Sequence, residues 1–199
     1  MKPLFLVTTS HRPTQRVRSF AKDIVSILPC AAKLTRGKAT LRDIFFEARS
    51  VGVKRVVIIS TWKGNPGSLY IYEPGETIEE GLRPIAMFRL SGVKLSRERP
   101  EAQRSYGVKS LGVLSLSNVE EHKLLSDIMV RAFLAKLVFD TDIPVVDVVA
   151  VIRPPSSASH FAEIDFLCTA SRKPCGPLLR VVRVEDHVSG HRLHRSRRT

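Results

Sequence analysis

The chain has 199 residues, of which 43% are hydrophobic and 26% charged, a composition that predicts a folded core rather than disorder and leaves room for one large domain or two small halves. Thirty-two Lys and Arg against nineteen Asp and Glu give a net charge of +13. Such an excess opposes folding through self-repulsion, so it points to a polyanionic partner, above all nucleic acid.

The charge is unevenly placed. Residues 1–63 hold thirteen Lys and Arg against three acids, residues 118–150 hold three against six, and the last nine residues add four Arg and no acid. That polarity predicts one phosphate-facing surface. Cys30, Cys168 and Cys175 have no repeated short spacing and read as small buried thiols of a reducing cytosol. Neither the four apolar residues Leu4 to Val7 nor the run Val145 to Ile152, interrupted by Asp147, suits a signal peptide or a membrane span. A soluble protein is expected.

In chain order, Leu4 to Val7 reads as a short buried strand. Pro13 opens a helix, and Val17, Phe20, Ala21, Ile24, Ile27 and Leu28 give it one apolar stripe that stops at Pro29. Ala31 to Leu34 is a short strand and Arg36-Gly37-Lys38 a tight turn. Thr40 and Asp43 form a capping box for a second helix, with Leu41, Ile44, Phe45 and Ala48 on its apolar side and Gly52 as its C-cap. Val53 to Ile59 is β-branched and continuous, a strand covered on both faces. Trp62 to Gly67 reads as a turn-rich loop, and Leu69 to Tyr72 as the next strand.

An acidic connector at 73–84 leads to a strand at Ile85 to Leu90, and the polar, basic stretch Ser91 to Lys109 reads as a mobile loop. A strand at Leu111 to Leu116 precedes a helix capped by Ser117 or Asn118, whose apolar face runs from Leu124 to Leu137. Val145 to Ile152, Phe161 to Cys168 and Leu178 to Val184 are three further strands, and His191 to Thr199 a basic disordered tail. The predicted class is α/β, and strand, helix and strands recur on both sides of residues 73–84.

Enzyme signatures are sparse. Neither of the standard glycine-rich phosphate loops occurs, nor a GxSxG elbow. Asp140 and Asp142 have the residue types of a Mg²⁺ pair, yet their place before a Pro-containing turn favours a solvated connector. His187, His191 and His194, with Cys175 upstream, lack zinc spacing and suit a basic tail. No catalytic residue, metal or cofactor is expected.

The positive signal is three basic, turn-rich clusters. Thr9-Ser10-His11-Arg12-Pro13 enters a helix N-terminus, where backbone N–H groups bind phosphate, with Arg16 one turn further on. Lys33, Arg36, Gly37 and Lys38 make the second; an ordinary surface turn explains it equally well. Trp62-Lys63-Gly64-Asn65-Pro66 is the third: Trp62 either stacks on an unpaired base or, as buried Trp usually does, folds back on the core.

At these clusters the chain resembles the Brix-domain family of ribosome-biogenesis proteins, in its Imp-four-like branch and short archaeal form. Thr9-Ser10-His11-Arg12-Pro13-Thr14 is similar to the family's N-terminal signature, with His11 where Arg is usual and Thr14 where Ser is usual; the likeness continues through Phe20, Arg36-Gly37 and Trp62 to Pro66. The resemblance implies a single domain over residues 1–190, made of two similar α/β halves (about 1–80 and 81–190), mixed sheets with packed helices, each half resembling the anticodon-binding domain of class II aminoacyl-tRNA synthetases. It implies a non-catalytic cytoplasmic factor that binds rRNA or pre-rRNA, with a guide RNA particle and other ribosome-assembly proteins as partners and no membrane.

On this reading Arg12, Arg16, Arg36, Lys38 and Lys63 contact phosphates, Ser10, Gly37 and Asn65 let the backbone approach, and His11, Lys33 and Trp62 complete the RNA-binding set. Five or six such contacts predict a slope of roughly −4 for log affinity against log salt. The rivals are an RNA-processing enzyme built on Asp140 and Asp142, and a protein-interaction adaptor whose charge serves solubility.

Overall fold

The computed structural model describes residues 2–139 and 145–194. Asp140 and Asp142 lie outside the described residues, as does the expected tail beyond His194.

The apolar run at the start of the chain forms β1 (Phe5–Thr9), buried along its whole length. Next comes α1 (Gln15–Ile27), whose N-cap is Thr14 rather than Pro13, because the Thr14 hydroxyl accepts the N–H of Val17. It buries Val17, Phe20, Ala21, Ile24 and Ile27, the predicted stripe. Then follow β2 (Ala31–Lys33) and α2 (Leu41–Val51), which has the Thr40–Asp43 capping box and a left-handed Gly52 as expected. The first half ends with β3 (Arg55–Trp62), β4 (Asn65–Pro74) and β5 (Leu82–Lys94). The second half holds β6 (Leu111–Ser115), α3 (Glu120–Ala132), β7 (Lys136–Leu137), β8 (Val148–Arg153), β9 (Ala162–Cys168), β10 (Lys173–Asp186) and β11 (Arg192–His194).

These strands make one mixed sheet in the order β2-β1-β3-β4-β5-β10-β9-β8-β6-β7, with β11 added beside β10. In the first half β1 is parallel to both β2 and β3, and β3, β4 and β5 follow antiparallel. The second half repeats this: β6 is parallel to β7 and β8, and β8, β9 and β10 follow antiparallel. The halves meet along β5 and β10, which pair antiparallel from Leu178–Lys94 to Asp186–Ala86.

One side of the sheet carries the main core, in which α1 and α3 pack with Val57, Ile59, Leu69, Phe88, Ala150 and Ile164. The other side is covered in the first half by α2, whose Ile44 and Ala48 meet Leu6, Val56 and Ile58. The predicted two-sided burial of the third strand is therefore observed. In the second half the corresponding side holds a smaller cluster of Leu114, Val138, Val146, Val149 and Val151, and no helix covers it among the described residues.

Several expectations are corrected. Trp62 to Gly67 is a two-residue hairpin between β3 and β4, not a loop: Lys63 and Gly64 both have positive φ, +46° and +80°, which matches the right-handed twist of the flanking strands. Ser91 to Lys109 is tied down, not mobile. β5 runs to Lys94, a short 3-10 helix occupies Ser96–Glu98, Leu95 is fully buried, and Arg99 forms a buried pair with Asp165. α3 has Val119 at its N-cap without a side-chain bond, and it stops at Ala132, so the half-exposed Leu137 belongs to β7. Cys168 and Cys175 face each other across the β9–β10 hairpin and are joined as a disulfide, contrary to the reading of reduced thiols. Within the expected tail, Arg192–His194 forms β11.

Candidate nucleic-acid interface

Because β1, β2 and β3 are parallel, the segments that leave their C-terminal ends come out on one edge of the sheet. Those segments are residues 10–14, 34–40 and the hairpin turn at 63–64, and both α1 and α2 begin there. In open α/β sheets this edge is where ligands gather. Three clusters that are far apart in sequence are thereby brought together.

Hydrogen bonds lock them to one another. Ser10 N–H donates to Ile59 O at 2.8 Å, and Ser10 Oγ lies 3.5 Å from Thr61 Oγ1. His11 Nδ1 is 3.3 Å from Gly37 O. Arg36 donates through Nε to Ala39 O at 3.0 Å and through Nη1 to Thr9 O at 3.4 Å. Thr14 Oγ1 donates to Gly64 O at 2.7 Å, and Asn65 Nδ2 donates to Lys63 O at 3.3 Å.

The cations divide into two groups. Arg12, Lys33, Lys38 and Lys63 are exposed. Arg36 is half-buried, gives two of its donors to backbone carbonyls, and burial pushes its pKa down. Arg16 is held by Glu98 in a two-pronged pair, with Nη2 also donating to Val93 O at 2.9 Å. Hydrogen bonding from Arg16, against burial, keeps the Glu98 carboxyl below the usual carboxylate range. Arg16 and Arg36 are thus positioned to hold the loops, and the outward charge rests on the other four.

Two of the exposed cations sit on left-handed backbone, Arg12 at φ +50° and Lys63 at φ +46°. A non-glycine residue pays of order 1 kcal/mol for such a conformation. At the first position of this turn type Asn, Asp or Gly is the favoured residue; the chain carries Lys63 instead.

Trp62 does not fold back on the core. It is 55% exposed, and the Arg89 guanidinium lies 4.7 Å from its ring centroid. Gly67 makes this packing possible, because a Cβ there would come within 2.6 Å of Trp62 Cβ. Sequence reading missed Arg89. Its signal was the alternation along β5, where Phe88 and Leu90 are buried and Arg89 points to the other side.

Over 95 residues the chain is 42% identical to a probable Brix domain-containing ribosomal biogenesis protein of Thermococcus kodakarensis, a match that covers 48% of this chain and 44% of that one. The matched region spans about half the length of the curated relatives it matches, from 41% to 66%. No family model matches the chain. The crystal structure of a probable ribosomal biogenesis protein from Aeropyrum pernix superposes with a TM-score of 0.77 and 32% identity, over 90% of this chain and 95% of that one. The chain belongs to the Brix-domain family of ribosomal biogenesis proteins. A crystal structure of an archaeal Imp4-like protein shares this Brix fold at a TM-score of 0.65 and 22% identity, over 91% of this chain and 99% of that one. No helix among the described residues of this Brix domain is long and apolar enough to cross a membrane.

Proposed function

We propose that the chain is a non-catalytic RNA-binding factor of ribosome assembly that holds rRNA or pre-rRNA at the C-terminal edge of β1, β2 and β3. Arg12, Lys33, Lys38 and Lys63 neutralise phosphates, backbone N–H groups at the start of α1 and α2 add donors, and Trp62 offers a face to an unpaired base. The observation that carries this reading is the meeting of three separately encoded basic loops on one edge, two of whose cations are kept on strained backbone. The names of the relatives support the ribosomal setting. Assembly proteins and a guide RNA particle are the accompanying partners, and the cytoplasm is the place of work.

With Arg16 and Arg36 occupied inside the protein, four phosphate contacts remain, so the salt slope drops from roughly −4 to about −3. A fluorescence-anisotropy titration of a single-stranded rRNA fragment at increasing KCl measures it. Lys63→Glu combined with Lys38→Glu should abolish binding at moderate salt, while Arg16→Ala should lower stability and leave the slope unchanged. A flat salt response defeats the reading.

A further inference from the structure

The connector between the two halves builds a second concave site. A cleft of about 420 Å³ opens between the exposed side of α1 and residues 96–106, within the size range of small-ligand pockets. Three cations, Lys22, Arg97 and Arg104, and one carboxylate, Asp23, line it.

At its mouth stands Tyr106, 78% exposed although its neighbours Ser105 and Val108 are each only 7% exposed. Its backbone is firmly held: Ser105 Oγ donates to Ser26 O at 2.7 Å, and Cys30 N–H donates to Val108 O at 2.9 Å. The ring is therefore displayed by an anchored segment, where burial against the protein would otherwise be favourable. Interaction with the Tyr106 phenol raises the Arg104 pKa, so aromatic face and cation are presented side by side.

Also lining the cleft, the Asp23 carboxylate accepts the N–H of Ser96 at 2.8 Å, with the buried Ser96 Oγ beside it. Burial lifts the Asp23 carboxyl above its usual range, against the hydrogen bonds from Ser96. The Asp23 carboxylate suits the N–H edge of a nucleobase and repels a phosphate; the three cations lining the same cleft suit the backbone that carries the base.

We propose that this cleft is a nucleotide pocket that takes an unpaired base of single-stranded RNA, stacked on Tyr106 with its edge toward Asp23 and Ser96 and its phosphates toward Lys22, Arg97 and Arg104. The proposal rests on the RNA-binding reading above and deepens it, because it makes the preferred ligand single-stranded. Lys22 lies eight residues beyond Thr14, about 12 Å along α1, so one short strand reaches both sites, with exposed Arg18 between them.

The test compares the full chain with Tyr106→Ser, Tyr106→Phe and Lys63→Glu, by anisotropy, on a single strand of about ten adenines and on a duplex of similar length. Tyr106→Ser should weaken single-strand binding roughly tenfold and leave duplex binding unchanged, while Tyr106→Phe stays within about twofold because it keeps the stacking face. Because the side chain is exposed, Tyr106→Ser does not threaten folding. Wild-type affinity in Tyr106→Ser, with Lys63→Glu still impaired, overturns the cleft and spares the strand-end site. Equal losses on single strand and duplex also overturn it. A wild-type chain that binds neither RNA overturns both sites.

Discussion

Thr14 Oγ1 donates a 2.7 Å hydrogen bond to the carbonyl of Gly64, and the same oxygen accepts the N–H of Val17, so one hydroxyl both caps α1 and fastens the β3–β4 hairpin to it. This is the bond that holds Lys63 beside the loop carrying Arg12. Thr14→Ala should lower stability by about 1–2 kcal/mol through loss of the cap and of a long-range bond, whereas Thr14→Ser should keep most of it. Urea unfolding of the two variants is the measurement; an unchanged midpoint in Thr14→Ala shows that the bridge carries no stability.

The connector between the halves is pinned by Arg99, which grips Asp165 with two nitrogens at 2.7 and 3.2 Å and also reaches Gly176 O at 3.3 Å. Both side chains of this pair are more than nine-tenths buried. Arg99→Ala leaves the buried Asp165 carboxylate with only the longer pair to Arg153, 3.5 Å away, and should destabilise by about 3 kcal/mol. Replacing the pair together, Arg99→Met with Asp165→Leu, should recover most of that loss, since an apolar pair of similar volume often matches a buried ion pair. Equal destabilisation in the single and double variants would count against the ion pair as the source.

Acid should unfold the chain through a small set of carboxylates. At Glu163 burial favours the protonated form, but Ser156, His160 and Arg180 outweigh it and hold the pKa low. At Asp186 burial is likewise outweighed by Ser189, the Val188 N–H and Arg131. A folded pKa below the unfolded value contributes stability that is fully present above the unfolded value, about 4, and is lost as pH falls through the folded one. Asp23 runs the opposite way, since burial raises it and protonation relieves the strain. The urea midpoint should therefore stay level from neutral pH to about 5 and fall steeply below about 4. Asp186→Asn should flatten that fall, and a midpoint indifferent to pH in this window contradicts the assignment.

The disulfide closes a loop with a sequence separation of only 7 between Cys168 and Cys175. Loop-closure entropy for so short a ring is worth about 2.5 kcal/mol. Dithiothreitol, or Cys168→Ser with Cys175→Ser, should lower the urea midpoint by that order and leave RNA affinity at the strand ends unaltered. A chain equally stable in reductant and oxidant shows that the β9–β10 hairpin needs no staple.

The elements set by local spacing were readable from sequence. Val17, Phe20, Ala21 and Ile24 mark α1 at intervals of three and four, and Thr40 with Asp43 marks the start of α2. The hairpin at Lys63-Gly64 was hidden, because a left-handed Lys carries no propensity signal and Trp62 to Gly67 is rich in loop formers. The connector was hidden for another reason. Its anchors are distant partners, Asp165 for Arg99 and Ser26 for Ser105, which local composition does not reveal. The three basic loops were recognised singly, but their meeting depends on β1 pairing in parallel with both β2 and β3. The pairing of Arg16 with Glu98 spans 82 residues and turns an apparent phosphate contact into an internal brace.

The antiparallel seam of β5 and β10 leaves the domain without a hinge. Eight matched residue pairs stitch one half to the other, and the main core continues across the seam with Phe88 on one side and Leu179 and Val181 on the other. Separating the halves means tearing a sheet and opening an apolar interior, so neither half can swing while its twin stays put. The molecule behaves as a fixed gauge: whatever it grips at one end and whatever meets its far end are kept at a set distance, and they unfold in the same event.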